Sequence, residues 1–136
     1  MNLSNNFWKW MWIAAAAFNI IMGFFIVFLT RWSFALSYDP SGDVANPMAL
    51  RLWRDFGIFV LMIGVGYYLV SRDLTRNSSL VLLGIAAKAF DVIVLSLRFA
   101  TGLANAIVLV PAIIDGLFML LFILFLYKIR SADVES

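Results

Sequence analysis

The sequence of 136 residues contains no cysteine and no histidine. Without cysteine the chain can form no disulfide, carry out no thiol redox chemistry and offer no cysteine ligand to a metal. Without histidine it lacks the commonest general base and the commonest metal ligand. Histidine-ligated haem and di-iron sites of the Glu-x-x-His type are therefore excluded. We expect no metal site and no cofactor.

Charge is also scarce, since only 13% of the residues are charged whereas 64% are hydrophobic. A soluble domain carries about 25% charged residues and about half apolar ones. The excess of apolar residues indicates an integral membrane protein with one domain. The net charge is +2, but no run of basic residues is present. Nucleic-acid binding requires a clustered basic surface, so we expect no nucleic-acid partner.

Four apolar segments are long enough to cross a bilayer as helices. They cover roughly residues 8–30, 53–70, 79–100 and 107–127. The first has no small-residue cleavage site after it, so we predict a retained span and not a secretory signal. The predicted fold class is all-α, an integral membrane bundle of four transmembrane helices. Spans joined by short connections pack as antiparallel neighbours.

The connections between these spans are unequal in length. Residues 31–52 form the only long one, and we predict an extramembrane loop that ends in a short interfacial helix, "MALRLW". Residues 128–136 are predicted to form a polar, mobile tail.

An even number of spans places both termini on one side of the membrane. The side of the termini holds five Lys or Arg residues and the other side four: Lys9, Arg72, Arg76, Lys128 and Arg130 against Arg31, Arg51, Arg54 and Arg98. The positive-inside rule then predicts cytoplasmic termini. We expect a multi-pass protein of the bacterial inner membrane.

The third span, "LLGIAAKAFDVIVLSLRF", carries Lys88, Asp91 and Arg98. At 100° per residue these three share one helix face with Gly84 and Leu95. Because a charge in hydrocarbon is costly, this face is expected to point into the bundle. Arg98 lies near the span end and can reach the surface. Lys88 and Asp91 are one turn apart and can pair directly.

Helix rise predicts which other polar residues lie at the same depth. Asp91 is about 13 Å from the surface at the end of span three, Asp115 about 12 Å and Asn19 about 16 Å. We predict a mid-membrane ligand or proton site formed by Asn19, Lys88, Asp91 and Asp115, with Arg98 near its mouth and with Tyr67 and Tyr68 of span two.

The charges of this predicted cluster do not balance. Two acids face one ammonium, so either Arg98 compensates or one carboxyl stays protonated. The alternative to a functional site is that these residues are interhelical hydrogen-bonding groups, worth about 0.6 kcal/mol each on average.

Small residues allow helices to approach closely. On this basis we assign helix packing to four glycines: Gly23, Gly57, Gly64 and Gly84.

Three stretches together resemble a group of small four-helix bacterial inner-membrane proteins of uncharacterised function. They are "AAAAFNIIMGFF", "LRLWRDFGIFVLMIGVGYYLVSRDLTRNSSLVLLGIAAKAFD" and "PAIIDGLF". The shared pattern is FN-x3-G, then G-x-GY with a following Asp and Arg turn, then G-x3-K and an acid in the fourth span. The resemblance singles out Asn19, Gly23, Gly66, Tyr67, Asp73, Gly84, Lys88 and Asp115.

At a looser level the layout resembles DoxX-like and sterol-isomerase-like four-span bundles. A cysteine-dependent redox role, as suggested for some DoxX-like proteins, cannot apply to a chain without cysteine. The chain also lacks the histidine and the intramembrane Glu of the isomerase pattern, which disfavours isomerase chemistry.

Three functional hypotheses remain open. The favoured one is a non-enzymatic membrane protein that binds a lipid- or quinone-like ligand or serves as an accessory subunit of a larger membrane complex. The second is a proton-coupled transporter that uses Lys88, Asp91 and Asp115. The third is an intramembrane enzyme with the two carboxyls as acid and base. The expected partners are the lipid bilayer and either a larger complex or further copies of the chain.

Overall fold

The computed structural model describes residues 5–38, 46–74 and 76–134. Within these ranges the chain is helical and contains no strand, so the all-α prediction is confirmed. The elements are α1 (Asn5–Phe28), α2 (Thr30–Tyr38), α3 (Pro47–Arg72), α4 (Ser78–Ala100), a 3-10 turn (Ala106–Val108) and α5 (Leu109–Val134).

Three stretches of helix are long and apolar enough to cross a membrane: Asn5–Phe28, Ser79–Ala100 and Ala106–Ser131. They correspond to the predicted first, third and fourth spans. The predicted second span lies in α3, which is not among the three.

The connection between the first two predicted spans is more helical than expected. The Leu29 backbone N–H donates to the Phe25 carbonyl oxygen, and the Ser33 N–H donates to the Leu29 carbonyl oxygen. The α2 helix therefore follows α1 almost without interruption. At the other end, "MALRLW" is not a separate interfacial helix but the start of α3. Asn46 caps that helix by accepting a hydrogen bond from the Met48 backbone N–H, and Pro47 stands at the favoured first position. The rest of the predicted loop, residues 39–45, lies outside the described residues.

The predicted C-terminal tail also contains helix. α5 continues to Val134, whereas residues 135 and 136 lie outside the described part of the chain. A helix that has already started adds a backbone hydrogen bond for each further residue, which favours its extension into the polar segment.

Close packing at small residues joins α1 to α3. A Cβ on Gly23 would lie 2.9 Å from the Gly57 carbonyl oxygen, and one on Gly64 would lie 2.8 Å from Ile20 Cγ1. A Cβ on Gly57 would lie 2.6 Å from Ile26 Cγ2. These glycines therefore let two helix backbones approach more closely than any larger residue would allow.

Aromatic side chains fill the half of the bundle nearest the chain ends. Trp12 of α1 stacks on Phe122 of α5 with ring centroids 4.0 Å apart, and Tyr67 of α3 meets Phe122 edge-on at 5.1 Å. We call this packed region the aromatic core; its buried members are Trp8, Met11, Trp12, Ala15, Ala16, Tyr67, Val70, Val81, Phe122 and Phe125. The polar cluster lies beyond it, toward α2.

Candidate functional site

Lys88 lies at the centre of the bundle with only 2% of its surface exposed. Its Nζ donates a hydrogen bond to Asn19 Oδ1 at 2.7 Å and forms an ion pair with Asp115. One side chain of α4 thus joins α1 and α5. Asn19 and Asp115 are also buried. The structure therefore brings together three of the residues that the sequence predicts at similar depth.

Aromatic rings surround the same ammonium group. Lys88 Nζ lies 5.4 Å from the ring centroid of Phe18, 5.6 Å from that of Tyr67 and 6.0 Å from that of Phe118. Ring faces attract a cation, most strongly where water is excluded. The Lys88 charge is thus stabilised by two oxygen partners and three rings.

Asp91 belongs to the cluster but plays a different part from the one expected. The sequence allows a direct Lys88–Asp91 pair, but the ion pair that forms is Lys88–Asp115. The Asp91 carboxyl lines the same cavity as Asp115 and is only partly buried. A lysine side chain is long enough to reach a neighbouring helix, so an acid across the bundle can compete with one on the same helix.

Arg98 lies on the α2 side of the cluster and is exposed. Its Nη1 donates to the Tyr38 hydroxyl at 2.8 Å, and its guanidinium lies 5.4 Å from the Tyr38 ring centroid. Among the described residues it has no carboxylate within 4.0 Å. Arg98 therefore lies on the outer side of the cluster and forms no ion pair with Asp91.

The two tyrosines predicted for the site separate. Tyr67 is buried beside Lys88, and its hydroxyl donates to the Gly84 carbonyl oxygen at 3.4 Å. Tyr68 is 45% exposed, accepts a hydrogen bond from Arg72 and lines a cleft with Lys9 near the chain ends. The placement of Tyr68 in the site is therefore wrong. Consecutive helical residues point about 100° apart, so only one of them can face the cluster.

An apolar cavity of about 270 Å³ ends on this polar cluster. Its walls are mainly aliphatic and aromatic side chains from α1, α3, α4 and α5, and Asn19, Lys88, Asp91 and Asp115 form its inner end. Ser33 and Trp53 lie at the opposite end, where Trp53 Nε1 donates to Ser33 Oγ at 2.9 Å. The α2 helix therefore covers the cavity, a role that sequence reasoning missed. The only sequence signal was the apolar and aromatic character of "RWSFALSY".

Two further cavities, of about 580 and 150 Å³, lie between α3 and α4. Asp91 and Phe56 line both of them and also line the 270 Å³ cavity. The larger one extends to Arg98 and Tyr38 and is also lined by Leu52 and Phe90, each 62% exposed. The polar cluster is therefore reached from the side of the bundle through the space between α3 and α4.

Within the described residues no group of three or more acidic residues is placed to hold a metal ion. The arrangement suits a different task, in which apolar walls enclose a hydrophobic molecule and a few convergent polar groups orient its polar end. Comparison of the chain with protein-family models, with curated proteins and with solved structures finds no match.

Proposed function

We propose that this protein is a four-span membrane protein that binds a small amphipathic molecule, lipid- or quinone-like, in the 270 Å³ cavity. The observation that carries the proposal is an apolar cavity whose inner end is built from buried, hydrogen-bonded polar side chains. Ligand sites in proteins have this composition, with mostly apolar lining and a few placed polar groups. A bundle that needed Lys88 and Asp115 only as an interhelical bond would not require a cavity beside them.

The surface of α3 supports its assignment as the predicted second span, which brings the number of spans to four. The helix has 26 residues and so is about 39 Å long, enough to cross the hydrocarbon core. Its outward-facing side chains are large and apolar: Ile58, Phe59, Met62, Val65 and Leu69. With four spans, both ends of the chain lie on one side, and the positive-inside rule places them in the cytoplasm of a bacterial cell.

The position of the aromatic core favours binding over transport. A carrier needs a route from its site to each side of the membrane. Here the 270 Å³ cavity lies on the α2 side of Lys88, whereas Trp12, Tyr67 and Phe122 close the bundle on the side of the chain ends. The geometry thus offers access from one side and laterally, which suits a ligand-binding protein.

Identification of molecules that co-purify with the protein tests this function. Leu95 lines the cavity, so Leu95→Trp fills it, whereas Leu97 on the same helix is 59% exposed and faces away. We expect the unmodified protein, extracted in mild detergent, to carry a bound amphipath that native mass spectrometry detects. Leu95→Trp loses this molecule and Leu97→Trp keeps it.

Equal amounts of every co-purifying molecule in the two variants would refute binding in this cavity. A stoichiometric protein partner that remains with both variants would instead favour the second candidate, an accessory subunit of a membrane complex. Thermal unfolding of both variants shows that the loss of ligand is not a loss of fold.

A further inference from the structure

We propose that the ligand of this cavity is a lipophilic amine whose ammonium group pairs with Asp91. The inference rests on the proposed binding function and names the chemical class of the ligand and the residue that contacts it. Three observations carry it: the state of Lys88, the surroundings of Asp91 and the apolar path that leads to Asp91.

The charge of Lys88 is already balanced by Asp115. Its ammonium donates to Asn19, is paired with Asp115 and otherwise faces the rings of Phe18 and Tyr67. An ammonium has three donors, and Asn19 and Asp115 accept from two of them. An acidic ligand at the third would add a negative charge beside Asp115 and Asp91, and one that displaced Asp115 would leave that carboxylate buried without a partner, which is costly.

Asp91, in contrast, faces the cavities without an ion-pair partner among the described residues. It lines all three of them, and among the described residues no Lys or Arg lies within 4.0 Å of its carboxyl. Arg98, the next cationic residue along α4, donates instead to the Tyr38 hydroxyl. The cluster thus holds two carboxyls and one ammonium, and a second ammonium would balance it. A charge-assisted hydrogen bond to a carboxylate is about twice as strong as a neutral one.

The path to Asp91 selects for a molecule dissolved in the membrane. The 580 Å³ cavity between α3 and α4 reaches from Asp91 to the exposed side chains of Leu52 and Phe90. An amine with an apolar chain can therefore enter between these helices, place its charged end at Asp91 and keep the chain in apolar surroundings. A hydrophilic amine would lose its hydration without gaining these contacts.

Binding of three dodecyl compounds that differ only in the head group tests the proposal. Dodecylamine, dodecanol and dodecanoate are titrated calorimetrically into the protein in phosphatidylcholine nanodiscs, with empty nanodiscs as the blank. We expect dodecylamine to bind about 10–100-fold more tightly than dodecanol, as a hydrogen bond to a charged group predicts. Dodecanoate is expected to bind weakest.

Asp91→Asn is expected to remove the preference for the amine over dodecanol. Asp55→Asn, which removes an exposed carboxylate at the start of α3, is the matched control and keeps the preference. Equal affinities for amine and alcohol in the unmodified protein, or an amine preference that survives in Asp91→Asn, would overturn the proposal. If dodecanol binds and Leu95→Trp abolishes that binding, the cavity function stands on its own. If none of the three compounds binds, the proposed function fails as well.

Discussion

Lys88 connects more of the bundle than any other polar residue that the structure describes. Its ion pair with Asp115 and its hydrogen bond to Asn19 join α4 to α5 and α1. Removal of one partner of a buried pair leaves the other charge uncompensated, whereas replacement of both by apolar residues is often neutral. The identity of the partner can therefore be read from the stability of double variants.

We expect Lys88→Met to lower the free energy of unfolding by about 3–5 kcal/mol, because it leaves Asp115 buried without a cation. Lys88→Met with Asp115→Leu recovers most of this loss. Lys88→Met with Asp91→Leu recovers less, since Asp115 is still unpaired. Unfolding in detergent, followed by circular dichroism, measures all three variants. Greater recovery in the Asp91 double variant would show that Lys88 pairs mainly within α4.

Glycines set the distance between α1 and α3. A methyl group on Gly23 would lie 2.9 Å from both the Gly57 oxygen and the Leu61 nitrogen, which are backbone atoms. Backbone atoms cannot rotate away as a side chain can, so the helices themselves must separate. Gly66, on the same helix pair, has no atom within 4 Å of such a methyl group.

Gly23→Ala is therefore expected to destabilise the protein by about 1–3 kcal/mol through overpacking. Gly66→Ala is the matched control and is expected to stabilise it by about 0.4–1 kcal/mol, because alanine restricts the unfolded chain. Thermal unfolding in one detergent compares the two directly. A destabilising Gly66→Ala, or a neutral Gly23→Ala, would contradict this account of the α1–α3 contact.

The whole molecule has two different halves. The aromatic core occupies the half near the chain ends, whereas the 270 and 580 Å³ cavities, α2 and Arg98 occupy the other. In the proposed four-span arrangement, the covered mouth of the cavity faces the compartment opposite to the termini.

Single cysteines report the topology without background, since the chain has no cysteine of its own. We expect Asn46→Cys and Thr101→Cys to react with a membrane-impermeant maleimide in intact cells. Asn6→Cys and Arg76→Cys are expected to react only after the membrane is opened. Labelling of all four positions in intact cells would contradict the four-span arrangement. The reverse pattern would place the termini outside.

The sequence did not predict α2, which it assigned to a loop, but it alone determined the four long helices and the inward face of α4 at Lys88. Both depend on local properties: apolar length sets a span, and the helical period of 3.6 residues places Lys88, Asp91 and Arg98 on one face. The helix rise also placed Asn19 and Asp115 at the depth of Lys88, because the links between spans are short. The resemblance to DoxX-like bundles and the binding function remain predictions.

Only the tertiary structure decided which groups meet. Whether Lys88 pairs with Asp91 or Asp115 depends on the rotation and distance of α4 relative to α5, which no local pattern encodes. The rotation of α3 about its own axis likewise turns Tyr67 inward and Tyr68 outward. The cavity is a space left between side chains that are far apart in sequence. Its cover, α2, contacts α3 where Ser33 meets Trp53. Contacts of this kind depend on how whole helices pack, so the shape of the site could be learned only from the folded bundle.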